Sequence, residues 1–366
     1  MRISLLEKRE NFYKILKETL ITSYLYTIKN KDDKNFVVNK YLNFIAAPEL
    51  PNSVFQILIN EYSSSLIWWK KIIQSIYVKL AISSLFRSFF AQKTIQIPTF
   101  FDEYLILGGN HRLRLFSKDL ISSIVLLKKG ERNNFLINDV EIRTKNNLFY
   151  APKIISHGKD WFEEEYFEGT PINRLTDKTK VDFFILKVIE NHVDELLNKT
   201  VVIVKLDTYK KKLLDEITNI ISVENDNKKI VYKIYQTIEL LFLKLENKDI
   251  NMSWTHGDFQ QANILIKNND YKVIDWESSS ERFKLYDIFV LLSEIRTGVS
   301  LVEAFNFFKN KVNTYKQIDA IYENDIILLL VEELRFSVNE DFSQNFYHSG
   351  KKTNVLCDSI LKYVNV

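Results

Sequence analysis

The chain has 366 residues, 46% of them apolar, and a formal net charge of +3. That length allows a full core and more than one structural unit, and the near balance of charge leaves no electrostatic footprint for nucleic acid as a partner. Eight glycines and five prolines exclude long linkers and low-complexity segments, and a lone Cys357 excludes an internal disulfide and favours a reducing cytoplasm.

Taken in chain order, residues 1–97 are expected to form a mainly helical extension. Glu7, Lys8, Arg9 and Glu10 break any signal-like apolar run, and no stretch has the length of a membrane span. Within Leu66–Phe90, Trp69, Ile72, Ile73, Ile76 and Leu80 recur at helical spacing. Lys70, Lys71, Lys79 and Arg87 are interspersed, and the pattern predicts a helix packed on the rest of the protein with its lysines solvated. A helix lying on a membrane surface is the alternative, which would give residues 66–90 a weak peripheral contact. Pro48, Pro51 and Pro98 punctuate the zone.

Residues 98–168 read as a small β-rich lobe. Tyr104–Leu107, Leu113–Phe116 and Ser123–Lys128 are expected strands, and Gly108-Gly109-Asn110 is a strong turn signal between the first two. A short helix over Asn134–Arg143 follows. Lys153–Ser156 and Trp161–Phe167 complete five strands with one helix after the third. Residues 169–366 read as mainly helical. Val181, Phe184, Ile185, Val188 and Leu196 mark one amphipathic helix, and Ile234, Ile238, Leu241 and Leu245 mark another.

The densest chemistry lies in His256-Gly257-Asp258-Phe259-Gln260-Gln261-Ala262-Asn263-Ile264-Leu265, followed by Val273-Ile274-Asp275-Trp276-Glu277. Asn268-Asn269-Asp270 supplies a turn between two short strands, so one hairpin would carry Asp258, Asn263 and Asp275 into one cleft. Phosphoryl transfer is mostly positioning and charge neutralisation. Mg²⁺ takes oxygen ligands, one or two from protein and the rest from phosphates and water. Asn263 offers a neutral amide oxygen and Asp275 an anionic one. Asp258 can accept the proton of an attacking hydroxyl. His256 braces the loop more plausibly than it does chemistry. Glu277 either orients metal-bound water or the acceptor, or serves as a surface or capping residue.

The paired motif resembles the aminoglycoside phosphotransferase and choline kinase superfamily. It differs from eukaryotic-type protein kinases in having Gly257 after the histidine and Asp275-Trp276-Glu277 in place of Asp-Phe-Gly. The resemblance covers about residues 100–300. It implies an α+β, two-lobed protein-kinase-like fold with a β-rich N-lobe over 98–168 and a helical C-lobe over 169–366. It further implies ATP (or GTP) as phosphoryl donor, Mg²⁺, and a small-molecule or glycan-precursor hydroxyl as acceptor. In Leu126-Leu127-Lys128-Lys129-Gly130, the resemblance makes Lys128 the phosphate-positioning lysine. Its acidic partner would be Asp139 or Glu141, in Asn138-Asp139-Val140-Glu141. Gly109 lies in a turn that either covers the phosphates or is an ordinary hairpin turn. Glu165 and Phe167, in Glu164-Glu165-Tyr166-Phe167-Glu168-Gly169, would sit at the hinge that reads adenine through backbone groups. Asp287, in Leu285-Tyr286-Asp287-Ile288, would brace the catalytic loop. The segment Tyr41-Leu42-Asn43-Phe44-Ile45 through Tyr62-Ser63-Ser64-Ser65 is loosely similar to leader regions of phosphotransferase-like proteins from bacterial surface-polysaccharide genes.

Readings from other classes are a non-catalytic kinase-fold nucleotide-binding protein and a membrane-surface scaffold. A protein kinase is disfavoured, because the Ser278–Lys284 gap leaves no room for an activation loop.

Overall fold

The computed structural model describes residues 33–62, 68–108, 112–127, 134–221, 228–246, 249–316, 318, 320–342 and 350–364. Gly109, Lys128 and Lys129 lie outside these residues. The chain divides into two compact units, one of residues 1–144 with 152–168 and the other of 145–151 with 169–366.

The first unit is built on an eight-stranded antiparallel sheet. Its elements in chain order are β1 (Asp33–Asn39), β2 (Phe44–Ala46), α1 (Gln56–Tyr62), α2 (Trp68–Ile82), α3 (Arg87–Phe90), β3 (Lys93–Pro98), β4 (Tyr104–Gly108), β5 (Arg112–Ser117), β6 (Ser122–Leu127), α4 (Asn134–Asn146), β7 (Ile154–His157) and β8 (Trp161–Glu165). The strand order is β3-β1-β2-β4-β5-β6-β8-β7. The five strands expected from sequence are present. The described part of the segment expected as a mainly helical extension contains α1, α2 and α3 and also contributes β1, β2 and β3 to the same sheet.

Burial on both faces explains why β1 and β2 escape a sequence reading. Phe36, Val38 and Ile45 pack with Ile106, Leu113, Leu115 and Leu126 on one face. Val37, Phe44 and Ala46 pack with Leu58, Val78, Ala81 and Ile82 on the other. A strand covered on both sides has no polar alternation to mark it. Helix α2 covers the second face with Val78, Ala81 and Ile82, while Trp68, Trp69, Ile72, Ile73, Ile76 and Leu80 remain exposed. The stripe expected to pack on the protein is therefore its outward face. Arg87 is buried. Its guanidinium donates to the carbonyls of Ile82, Ala47, Pro48 and Leu50 and to Asn52 Oδ1, and lies 4.1 Å from the Phe55 ring centre. It ties the turn after α2 to the loop after β2.

The second unit has elements β9 (Thr170–Pro171), α5 (Lys178–His192), β10 (Val202–Lys205), α6 (Leu206–Ile221), α7 (Lys228–Leu243), β11 (Asp249–Thr255), β12 (Ile264–Lys267), β13 (Asp270–Val273), β14 (Ser280–Phe283), α8 (Tyr286–Ser293), α9 (Leu301–Val312), α10 (Glu323–Phe342) and α11 (Lys351–Val364). Two three-stranded sheets, β10-β11-β14 and β13-β12-β9, carry the loop of interest between them. Helix α5 starts at Asp177, whose side chain accepts from the Lys180 N–H, an N-cap that pairs one of the helix's free donors. In β12–β13 the register pairs Ile264 with Val273 and Lys267 with Asp270. Asn268 takes the left-handed conformation at φ 57°, which asparagine tolerates better than most residues. The hairpin expected from Asn268-Asn269-Asp270 is the one observed.

Candidate active site

Strand β11 ends at Thr255 and delivers His256 into a buried position. His256 Nε2 lies 2.9 Å from the Ile274 carbonyl oxygen, which can only accept, so the proton is assigned to Nε2. Nδ1 then accepts from the Asp258 N–H at 3.3 Å. Burial pushes His256 below the ordinary histidine value, against the charge of Asp287. A neutral ring with both nitrogens committed acts as a brace, and its backbone and ring together span the loop and the end of the hairpin.

Asp287, in the first turn of α8, is fully buried. Its carboxylate accepts from the His256 N–H at 2.6 Å, the Gly257 N–H at 2.9 Å and His192 Nε2 at 2.8 Å. His192 Nδ1 lies 3.0 Å from the Tyr150 hydroxyl, and its ring stacks on Phe259 at 4.1 Å between centroids. Burial alone would raise the Asp287 carboxyl, but the His192 hydrogen bond and the Gly257 N–H outweigh it and hold it below its ordinary value. Gly257 is required by geometry: its φ is +84°, and a Cβ there would lie 2.2 Å from the Ser278 carbonyl oxygen.

Asp258 is held from both carboxylate oxygens. Oδ2 accepts from Gln260 Nε2 at 2.7 Å and Asn263 Nδ2 at 3.2 Å. Oδ1 accepts from Arg296 Nε at 3.1 Å. Asn263 Nδ2 also donates to the Asp258 carbonyl at 2.9 Å, so the amide nitrogen is committed and the amide oxygen is the end able to serve as a ligand. The Ile274 N–H donates to the Asn263 carbonyl at 2.9 Å, which sets residue 275 beside residue 263. Asp275 is half-buried with φ 71° and ψ 51°. A left-handed aspartate is uncommon and marks a backbone held by its surroundings. Buried Trp276 anchors the turn through Nε1, which donates to the Val273 carbonyl at 2.8 Å. Glu277 follows in the same short 3-10 helix, half-buried.

Among the described residues no group of three or more His, Cys, Asp or Glu side chains could hold a metal. The donor set fits Mg²⁺ only in the manner of one amide and one carboxylate oxygen completed by phosphates and water.

Sequence reasoning missed Arg296. It sits in a short 3-10 turn between α8 and α9, where Glu294 and Gly298 both take left-handed backbone. Its Nη1 donates to Glu333 at 2.5 Å and Nη2 to the Tyr286 hydroxyl at 2.9 Å, and its plane lies 3.9 Å from the Phe336 ring centre. Burial opposes the charge of Arg296, but Glu333, Tyr286 and Asp258 hold its guanidinium well above the ordinary value. The residues that fix it come from α8 and α10, and no local motif announces them.

The acidic residues expected to partner Lys128 have other engagements. Asp139 is buried and ion-paired with Arg143 at 2.5 Å, and Arg143 donates to Glu164 at 2.6 Å. Glu141 is exposed on α4. Glu165 is exposed at the end of β8 and Phe167 is half-buried beyond it.

No family model and no curated protein sequence matches this chain. Solved structures do match in fold. The ternary complex of streptomycin, ATP and APH(2″)-IIa superposes with a TM-score of 0.50 at 17% identity, over 71% of this chain and 91% of that one. A thermostable mutant of the aminoglycoside phosphotransferase APH(4)-Ia, with ADP and hygromycin B, matches at 0.49 and 12% identity, over 71% and 93%. Choline kinase from Cryptosporidium parvum Iowa II matches at 0.45 and 13%, over 72% and 89%. The fold likeness rests on the first of these. The chain has the two-lobed, kinase-like α+β fold seen in aminoglycoside phosphotransferases.

The Asp287 carboxylate sets a prediction. Asp287→Asn turns an amide N–H toward groups that are themselves donors, and breaking a buried charged cluster costs about 3–5 kcal/mol. The folded-state value lies below the ordinary 3.8, so the stabilisation is fully present above that pH and is lost as pH falls through the depressed value. Urea unfolding of wild type and Asp287→Asn should show a constant gap near neutrality that narrows in acid. A gap independent of pH down to pH 2 contradicts this assignment.

Proposed function

We propose that the chain is a phosphotransferase that moves the γ-phosphoryl group of ATP (or GTP) to a hydroxyl of a small molecule or glycan precursor such as a sugar, polyol or amino alcohol. Asp258 carries the proposal: a carboxylate fixed from both oxygens, on a loop braced by Asp287 and His256, in a kinase-like fold. Its Oδ1 has one described partner, Arg296, which leaves a lone pair able to accept the acceptor's hydroxyl proton as that oxygen attacks phosphorus. The proton ends on Asp258 and leaves with product. Asn263 and Asp275 are the proposed Mg²⁺ ligands, and the ion, when bound, would neutralise the charge of the transferring phosphates. Glu277 is assigned to orienting the acceptor or the ion's water. His256 and Asp287 hold the loop and touch no reacting atom.

Asp258→Asn keeps size and most hydrogen bonds but cannot take the proton, so kcat should fall about 10²–10⁴-fold with little change in nucleotide affinity. Asp275→Ala should abolish turnover and weaken Mg²⁺-dependent nucleotide binding while the fold survives. Acceptor-dependent ATP consumption, screened over sugars, polyols, amino alcohols and aminoglycosides, measures both. A loss below about threefold in Asp258→Asn leaves the mechanism without its base.

Lys128 is proposed to hold the α- and β-phosphates, so Lys128→Ala should cost much more activity than Lys129→Ala in steady-state assays. The reverse ranking would assign the role to the neighbour.

Arg296 is proposed as the positioning residue for the base. Arg296 Nε is the described donor to Asp258 Oδ1, so Arg296→Gln should lower kcat while the Kd for Mg-nucleotide stays unchanged, and Arg296→Lys should recover part of the loss. A variant that loses unfolding stability but keeps wild-type kcat would mean that Arg296 only supports the fold.

A further inference from the structure

The outward face of α2 is apolar along its whole length. Trp68 is 73% exposed, Ile73 59% and Ile76 55%, and Trp69, Ile72 and Leu80 share that exposure. The turn after α2 extends the patch through Leu85 at 86% and Phe89 at 83%. Scattered apolar residues on a surface need no explanation, but a continuous patch of this kind marks an interaction site. The turn is not loosely held, since buried Arg87 binds four backbone carbonyls and Asn52 beneath it. Phe90 packs inward against Tyr77 at 5.6 Å, which turns its neighbour Phe89 outward.

Charge identifies the occupant. Between Glu61 and Asp102 the sequence has no acidic residue, while it carries Lys70, Lys71, Lys79 and Lys93 in addition to Arg87. At 100° per residue, Lys79, which is exposed, falls on one flank of the 69-72-73-76-80 stripe. Val78, Ala81 and Ile82 lie on the far side, against the sheet. A Trp- and Ile-rich stripe bordered by an exposed lysine, in a segment with no acidic residue, is the pattern of a helix seated in the interface of an anionic bilayer. Two copies of this face brought together would set lysines against lysines with no acidic residue to answer them. No helix among the described residues is long and apolar enough to cross a membrane, and α2 at fifteen residues is about 22 Å long. We propose that α2 and the Leu85–Phe89 turn seat on the surface of an anionic phospholipid bilayer, with the α2 axis parallel to it. This contact is independent of the phosphotransfer reading.

The test is flotation of the full chain with vesicles of phosphatidylcholine containing 30% phosphatidylglycerol, compared with phosphatidylcholine alone, at low and high salt. The expected result is binding to the anionic vesicles, at least tenfold weaker without phosphatidylglycerol and weakened by salt. The doubly substituted Ile73→Glu, Ile76→Glu variant changes exposed positions, so it should fold and unfold as wild type does, yet lose at least tenfold in vesicle binding. Lys70→Glu with Lys79→Glu should lose the preference for anionic lipid. Absence of flotation at any composition overturns the proposal, as does binding that survives Ile73→Glu, Ile76→Glu. A wild-type dimer that this variant converts to monomer, without vesicle binding by either, would assign the face to a second copy. Vesicle binding gained only after removal of residues 1–32 would assign it to that segment, and also overturns the proposal.

Discussion

A single buried carboxylate organises the candidate site. Asp287 receives two consecutive backbone N–H groups of the loop and the ring of a histidine from another helix. Without it, three donors would be buried with no acceptor, and each such group costs about 1–3 kcal/mol. The left-handed Gly257 follows from the same contact, because successive N–H groups converge on one carboxylate only if the chain turns sharply between them. Once Gly257 is placed, Asp258 points away from the brace and toward Arg296, Gln260 and Asn263. The proposed base is thus positioned by residues that need not meet any substrate.

The two histidines divide the work. His192 faces Asp287 and Tyr150, and stacks on Phe259, the residue after Asp258. His256 spans from the loop to Ile274, one residue before Asp275. Proposed base and proposed metal ligand are therefore tied through one imidazole ring. A histidine suits this place because it has two hydrogen-bonding nitrogens on a rigid ring, and burial keeps it neutral.

Much of this was legible in the sequence, and what was legible was local. The His256–Leu265 and Val273–Glu277 segments are contiguous, and their turn residues are specific. Asp287 could be assigned as a brace from the family resemblance of Leu285-Tyr286-Asp287-Ile288, with a helix-start role as the other reading. Arg296 could not, because the residues that fix it, Tyr286, Glu333 and Phe336, meet only through the packing of α8 and α10. The strands β1, β2 and β3 were read as part of a helical extension; in β1 and β2 burial on both faces erased the alternation. Helix α2 was legible as a helix but not in its orientation. Apolar periodicity identifies a stripe, and α2 has two: Val78, Ala81 and Ile82 are the set that packs. Asp139 or Glu141 was matched to Lys128 by motif; Lys128 lies outside the described residues, and the described partner of Asp139 is Arg143, one helical turn away.

The brace also has a bearing on how the chain is made. Asp287 lies 31 residues after the first N–H that it receives and 95 after His192. Contacts so distant along the chain form late, because the loop-closure entropy must be met first. A ribosome-bound chain that has emerged only to residue 285 already contains His256, Asp258, Asn263 and Asp275, yet has nothing to gather the loop around. The loop's N–H groups in that intermediate are answered by water. Release of Asp287 from the exit tunnel, rather than synthesis of the motif itself, is the precondition for the loop to gather, and Glu333 and Phe336, which fix Arg296 against Asp258, follow later still.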